Sequence, residues 1–316
     1  MKRYILTVTL NPAVDKTVYV PDFRIGKDFR ETQLHLSAGG KGLNVSRTLK
    51  HLGHRALATG FIGGGSGSYI GRQLDKEKIK HRFTPIEGNT RTSLTIIDSQ
   101  TKKITRVLER GPKISPRELK AFKKAFTSHL SRASFVLFCG RNIPGAGDSI
   151  YAGLIAIAKK RGVKTLLDTS GKALILGLKK KPFMVKPNLQ EAEHVVRKKL
   201  KSFSDIKKAL RHFHNLGIEV VAITMGSKGA VVSDKNEVIF ARPPEITRKN
   251  PVGCGDAFLA GFVLSVVRKK SLKESLTLGV ACGAANAASI SPGFIKRESL
   301  GGIIKKIQLK RINSCV

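Results

Sequence analysis

Residues 250–262 read Asn-Pro-Val-Gly-Cys-Gly-Asp-Ala-Phe-Leu-Ala-Gly-Phe. Two glycines flank Cys254 and an acid follows. An uncharged run then extends from Ala257 to Val267, closed by Arg268, Lys269 and Lys270. The pattern predicts a buried helix whose cationic end complements its dipole. Its N-terminus is the turn Gly253-Cys254-Gly255. Free backbone N–H groups in such a turn can cradle an anion, because glycine permits close approach and the dipole favours negative charge. Asp256 lies beside that cradle. A carboxylate repels a bound anion, so the pairing is odd for binding alone. It makes sense where the acid activates a nucleophile aimed at a phosphoryl group. The same residues also suit a plain buried helix with a glycine turn and an acidic first-turn residue.

A second glycine segment, Ala38-Gly39-Gly40-Lys41-Gly42-Leu43-Asn44-Val45, also opens a helix. Apolar residues recur at Val45, Leu49 and Leu52, and Gly53 is a natural stop. It is not a Walker-A loop, since no Gly-Lys-Ser/Thr ending is present. Nor do its glycines have the spacing of a dinucleotide fingerprint.

The two segments together resemble the signatures of the ribokinase-like sugar kinases, most closely the branch holding 1-phosphofructokinase and tagatose-6-phosphate kinase. The likeness spans nearly the whole chain, in order. It runs from Thr9-Leu10-Asn11-Pro12-Ala13-Val14-Asp15 through the Gly-Gly-Lys-Gly turn, Gly60-Phe61-Ile62-Gly63-Gly64, Thr90-Arg91 and Gly111-Pro112. It continues through Leu167-Asp168-Thr169-Ser170-Gly171, Lys186-Pro187-Asn188 and Met225-Gly226-Ser227-Lys228-Gly229-Ala230 to the Gly-Cys-Gly-Asp turn. The resemblance implies an α/β, ribokinase-like three-layer fold: a central, mainly parallel sheet flanked by helices, plus a small β lid. It implies a single domain over 1–316 with lid strands from about 16–37 and 92–108.

The hydrophobic pattern agrees with that class. Strands are expected at Tyr4–Leu10, Val18–Val20, Gln33–Leu36, Ala56–Ile62, Ser93–Asp98 and Ile104–Leu108. Those within the lid regions alternate as half-exposed strands do. A helix is expected from about Ser68 to Lys78. A regular rhythm follows: helix 116–131, strand 134–138, helix 148–161, strand 164–168, strand 183–186, helix 189–199, helix 204–215 and strand 219–224, with two long helices after Gly255. Helices between short apolar strands imply right-handed crossovers and a parallel sheet. Ligands of such sheets bind beyond the strand C-terminal ends. Asp15, Asn188 and Gly226 follow strands in this way.

Roles carry over residue by residue from the resemblance. Asp256 is the expected base for the sugar hydroxyl, with basicity lowered by its helix-start position. The Gly253, Cys254 and Gly255 amides are expected to hold the charge developing on the phosphoryl group, as a loose phosphoryl-transfer transition state requires. Asp15 is expected to bind sugar hydroxyls, or else to cap a turn after Pro12. Gly39, Gly40 and Asn44 are expected sugar contacts. Lys41 and Arg91 suit a phosphate already on the sugar. Asn188 and Glu191 match an N-x-x-E element that orders water and Mg²⁺ by the ATP triphosphate, and they equally form a helix capping box. Lys186, Thr224, Gly226, Ser227 and Gly229 fall on the ATP side, and Asn286 is assigned to the adenine pocket edge. The chain departs from the family pattern at Pro251, at Cys254 and in Gly140-Arg141-Asn142-Ile143-Pro144-Gly145, where Gly-Ser-Leu-Pro is usual. Arg141 is positioned to add a phosphate contact or alter the substrate.

The resemblance implies an ATP-dependent kinase of a phosphorylated ketohexose. Fructose 1-phosphate, converted to the 1,6-bisphosphate, is the first acceptor and tagatose 6-phosphate the alternative, since some tagatose-6-phosphate kinases share Asn-Pro-Val-Gly. A rival of another class is a catalytically silent polyanion-binding protein on the same fold, suggested by the charge. The 316 residues hold 58 Lys plus Arg against 22 Asp plus Glu, a formal net charge of +36. Such an excess attracts polyanions in a salt-sensitive manner. The basic residues are scattered, however, without interleaved aromatics or a nucleic-acid module signature, so no specific nucleic-acid partner is expected. The 41% hydrophobic content suits a globular core. Neither a signal peptide nor a membrane span is expected. Four cysteines, Cys139, Cys254, Cys282 and Cys315, form no CxxC pair and read as reduced thiols in a cytoplasmic protein. A homodimer through the lid is a further expectation from the family.

Overall fold

The computed structural model describes residues 3–312; Met1, Lys2 and the tail carrying Cys315 lie outside that range. Its strands are β1 (Tyr4–Thr9), β2 (Ala13–Val20), β3 (Gln33–Gly39), β4 (Ala56–Ile62), β5 (Thr84–Pro85), β6 (Arg91–Asp98), β7 (Ile104–Leu108), β8 (Ala133–Cys139), β9 (Thr165–Asp168), β10 (Met184–Val185), β11 (Val220–Thr224), β12 (Ala230–Ser233), β13 (Val238–Arg242) and β14 (Gln308–Ile312). Its helices are α1 (Lys41–His51), α2 (Gly64–Lys76), α3 (Pro116–His129), α4 (Ile150–Lys160), α5 (Gly171–Leu178), α6 (Leu189–Val196), α7 (Phe203–Asn215), α8 (Cys254–Val267), α9 (Leu272–Ala287) and α10 (Leu300–Lys305).

The main sheet has the order β14-β13-β12-β11-β10-β9-β8-β1-β4-β5. Pairings from β5 across to β11 are parallel, as the helix-strand rhythm predicts. The other edge is antiparallel, from β11 through β14. That edge and α5 lie beyond the expected order. A tight turn made by Asp234, whose Oδ1 accepts the Asn236 and Glu237 N–H groups, reverses the chain between β12 and β13.

Strand side chains alternate between two helix layers. Val136 and Phe138 of β8 pack with Phe122, Phe126, Tyr151 and Leu154 of α3 and α4. Phe135, Leu137 and Cys139 of the same strand pack on the opposite side with Val45 and Leu49 of α1 and with residues of α8 and α9. Burial on both faces is why these strands read as continuous apolar runs. Each such side chain contributes roughly 1.5–3 kcal/mol. The α8 helix is buried from Asp256 to Ser265, as its charge-free sequence requires. No described helix is long and apolar enough to cross a membrane.

A second sheet, β3-β2-β6-β7, stands where the lid is expected. The expected alternation does not produce one buried face. The β7 strand is exposed at every position, and so are Gln33–Leu36 of β3. Only the base of this sheet, at Val14 and Ala38, joins a core, with Ile70 and Leu74 of α2. The remainder extends past the helix layers.

Candidate active site

Two helices begin at the same place with glycine N-caps that supply no side-chain cap: α1 at Gly40 and α8 at Gly253. The first N–H groups of each therefore lack an intrahelical partner. Gly253 has φ 83°, a left-handed conformation that glycine takes without strain. Asn250 shapes the approach: its Oδ1 accepts the Val252 N–H at 2.8 Å across Pro251, an Asx turn that needs no donor from proline. Pro251 is thus accommodated without loss.

Asp256, in the first turn of α8, is 6% exposed. Burial raises its pKa to about 6, with a further push from the Asp168 carboxylate, against the pull of Lys41, Asn44 and Lys186. The expectation that the helix start lowers its basicity is corrected here, since desolvation outweighs the dipole. Asn44 Nδ2 donates to Asp256 Oδ2 at 2.8 Å. Arg47 Nη1 donates to Asn44 Oδ1 at 3.0 Å. Arg47 directs its other N–H groups to the Glu77 carboxylate and the Ala38 and Pro292 carbonyls. Asn44, the expected sugar contact, holds Asp256 with one Nδ2 hydrogen while its Oδ1 accepts from Arg47. Arg47 and Glu77 escape the sequence reading, because their partners are distant in sequence.

Asp168 ends β9 with its side chain wholly buried. Lys41 Nζ lies 2.9 Å from its Oδ1 and Lys186 Nζ 3.3 Å from its Oδ2. Burial opposes ionisation, but the two ammonium groups outweigh it and hold the Asp168 pKa below the usual value. Burial likewise works against the charge of Lys41, and the carboxylates of Asp168, Asp256 and Glu191 overcome it, keeping Lys41 protonated. Lys186 also approaches the start of α8: a Cβ at Gly255 would lie 3.7 Å from its Nζ. Lys41 was expected to read a phosphate on the sugar; its ammonium is committed to Asp168, beside Asp256. In the sequence, Asp168 ends the apolar run Leu166-Leu167 inside the Leu-Asp-Thr-Ser-Gly motif, and nothing local marks it as the partner of two lysines.

Asp15 lies within β2, facing Ser37 and Ser93 on the flanking strands. A Cβ at Gly39 would fall 2.0 Å from its Oδ2. Gly39 therefore seats this carboxylate, and any larger residue would displace it. Burial raises the Asp15 pKa to about 6, opposed by Arg91, Arg47 and Arg106. Arg91 is fixed by donating to the Asn11 carbonyl through Nε and Nη2, both at 3.2 Å, and to the Glu109 carbonyl through Nη1 at 3.3 Å. Asn11 Nδ2 reaches the Asn142 carbonyl at 3.3 Å, bringing the 140–145 loop alongside. Arg141 is exposed there and close enough to Arg91 to disfavour its charge, after burial.

On the far side, Asn188 and Glu191 form the capping box of α6: Glu191 N–H donates to Asn188 Oδ1 at 2.8 Å and Asn188 N–H to Glu191 Oε2 at 2.9 Å. Thr224 bridges in parallel to Asn188. Gly226 and Ser227 start a short 3₁₀ turn after β11. A Cβ at Gly229 would come 2.0 Å from the Ala241 carbonyl oxygen, so the β12–β13 hairpin itself requires glycine there. Asn286 is a correction. It is 0% exposed, so it cannot line a pocket edge. Its amide donates to the Val252 carbonyl at 2.8 Å and to Cys254 Sγ at 3.4 Å, and accepts from the Gly293 N–H at 2.6 Å. It fastens the glycine turn from behind.

A family model described as pfkB family carbohydrate kinase matches residues 8–297. A tagatose-6-phosphate kinase of Staphylococcus epidermidis is 32% identical over 308 residues, covering 96% of this chain and 99% of its own. Phosphofructokinase-2 from Escherichia coli, solved with substrates and products, superposes with a TM-score of 0.90 at 27% identity, covering 96% and 98% of the two chains. A possible 1-phosphofructokinase from Thermotoga maritima gives a TM-score of 0.88 at 28% identity, covering 98% and 100%. The signature turns, their order along the chain and these likenesses agree: the chain belongs to the pfkB family of carbohydrate kinases.

Proposed function

We propose that the chain transfers the γ-phosphoryl group of ATP to a hydroxyl of a phosphorylated ketohexose. The observation that carries this is Asp256: a buried carboxylate titrating near 6, held by Asn44 at the uncapped start of a helix, with Lys41 and Lys186 close by. A base poised near working pH suits proton removal from an alcohol. Asp256 takes the hydroxyl proton, the sugar oxygen bonds to the γ-phosphorus, and the bond to the bridging oxygen of ADP breaks. Uncapped N–H groups at Gly253, Cys254 and Gly255, with Lys41 and Lys186, face the charge that spreads over the phosphoryl oxygens. Asp15 accepts hydrogen bonds from sugar hydroxyls. Arg91 and Arg141 hold the phosphate already on the sugar, since guanidinium forks match phosphate geometry.

Lys186, Asn188, Thr224, Gly226, Ser227 and Gly229 form the ATP side. Among the described residues no cluster of three or more His, Cys, Asp or Glu makes a protein-only metal cage. That donor set fits Mg²⁺ carried mainly by triphosphate oxygens and water. Glu191 and Asn188 would order its water shell, Glu191 through the carboxylate oxygen not used in the capping box. Bound there, the metal would neutralise charge between the β- and γ-phosphates. The exposed apolar residues Leu34, Leu36, Ile104, Val107 and Leu108 of the small sheet support a homodimer through the lid. We further place a single catalytic domain along the chain, in the cytoplasm.

Likeness to tagatose-6-phosphate kinases at 32% identity moves tagatose 6-phosphate level with fructose 1-phosphate as acceptor. A coupled ADP-release assay tests the reading with both esters, fructose 6-phosphate and the unphosphorylated sugars. Turnover is expected to be far faster with phosphorylated ketohexoses than with the plain sugars. No turnover with any sugar would leave the silent polyanion binder.

A further inference from the structure

The catalytic centre leaves most of the +36 charge unused, and part of that charge is gathered far from it. A cavity of about 750 Å³ opens beside Tyr4, Ala56 and Arg132, at the N-terminal ends of β1, β4 and β8. This is the opposite end of the parallel sheet from Asp168. Arg55, Lys78, Lys80, Arg82 and Arg132 line the cavity, together with His129.

Among the described lining residues, five cations face a single carboxylate. The one carboxylate in the lining, Asp75, contacts His81 Nε2 at 3.1 Å. Among the described residues, none of the five Lys and Arg pairs with a carboxylate. The Arg82 guanidinium donates to the His81 carbonyl at 3.2 Å. The α2 and α3 helices end nearby, at Lys76 and His129. Two helix C-termini supply about one negative charge in total, too little to balance five cations. His129 Nε2 adds a buried polar atom without a hydrogen-bond partner. Burial, and then Arg82, hold its pKa low, so a further positive charge is resisted while the imidazole stays available for hydrogen bonding. Tyr4, Leu57 and Ile79 give the cavity apolar surface.

We propose that this cavity binds a small anion carrying two or more phosphoryl groups. Like charges in a concave site focus the field on an incoming anion. Its volume falls in the range of small-molecule sites, and arginine forks with lysine point charges are the usual phosphate ligands. A nucleoside triphosphate and a sugar bisphosphate share this chemistry. None of the lining residues belongs to the catalytic centre, so the site is separable from the kinase reading.

Calorimetric titration with inorganic tripolyphosphate at about 0.15 M salt, where long-range attraction is screened, tests it. Three proteins are compared: the wild type, the cavity variant Lys80→Ser/Arg82→Ser/Arg132→Ser, and a control of equal net charge at exposed lysines away from the cavity, Lys179→Ser/Lys180→Ser/Lys201→Ser. The expected result is about tenfold or greater weakening in the cavity variant, wild-type affinity in the control, and unchanged kcat/KM in both. The single variant Arg132→Ser, with circular dichroism, guards against loss of fold and should weaken binding in the same direction. Competition by ATP or by fructose 1,6-bisphosphate, read on the component of tripolyphosphate binding that the cavity variant loses and so apart from occupancy of the ATP side, identifies the source. Equal weakening in the two triple variants, or failure of both anions to compete, would overturn the site.

Discussion

Asn44 and Asp256 are 212 residues apart in sequence and 2.8 Å apart in space, the amide of one donating to the carboxylate of the other. Arg47 occupies the Asn44 carbonyl, so the amide is fixed with its NH₂ towards Asp256. A hydrogen bond to a carboxylate favours the ionised form. Asn44→Ala is therefore expected to raise the Asp256 pKa. The acid limb of kcat should move up by about 1–2 pH units, as loss of a charged hydrogen bond implies. A pH–rate profile measured at saturating sugar reads this directly. An unmoved acid limb would detach Asn44 from the base.

Asp256→Asn should abolish the base and lower kcat by ~100- to 10,000-fold while ATP still binds. The same variant should be more stable at neutral pH. The native pKa of about 6 lies above the ordinary 3.8. Keeping Asp256 ionised therefore disfavours the folded state above pH 6, and this cost disappears as pH falls below about 4. Denaturant unfolding should show the variant ahead by about 1–3 kcal/mol at pH 8, converging with the wild type near pH 4. Lower stability of the variant at pH 8 would contradict the strained carboxylate.

Much of this was legible in the chain. The Gly-Cys-Gly-Asp turn and the uncharged run after it specify α8 by composition alone, and β8 and β9 announce themselves as short apolar runs before polar turns. What stayed hidden depends on long-range contact. Asp168 looks like any acid ending a strand until Lys41 and Lys186 are seen on either side of it. Arg47 and Glu77 look like surface charges on two helices, yet Arg47 is 8% exposed. Asn286 carries no local sign that its amide ties Val252 to Gly293. The sequence points to a lowered Asp256 pKa because a helix dipole is visible there and the burial that raises it is not.

Asp168 should matter more to the fold than its silence in the chemistry suggests. Asp168→Asn removes the counter-ion of two ammonium groups, one of them on the nearly buried Lys186. Breaking a buried ion pair from one side typically costs about 3–5 kcal/mol. Urea unfolding at pH 7 should show a loss of that order. The paired Lys41→Met/Asp168→Asn variant should recover part of it, since one unpaired charge is gone. Equal stability of Asp168→Asn and wild type would mean that the lysines find other partners.

Lys41, Arg91 and Arg141 should separate by kinetics. Lys41 faces Asp168 and Asp256, so Lys41→Ala is expected to lower kcat with little discrimination between phosphorylated and plain sugars. Arg91 is held by the Asn11 and Glu109 carbonyls and is preorganised for an anion beside Asp15. Arg141 stands next to it, with no fixed partner among the described residues. Each of Arg91→Ala and Arg141→Ala should raise KM for a sugar phosphate by about tenfold to a hundredfold, the worth of a charged hydrogen bond, and leave the unphosphorylated sugar nearly unchanged. Arg91→Ala should be the larger loss, because its geometry is already set before substrate arrives. Initial rates across both sugars decide the matter. Equal losses on the two substrates would show that the arginines shape the pocket without reading the phosphate. A KM effect confined to Arg91 would show that the altered 140–145 loop serves some other purpose.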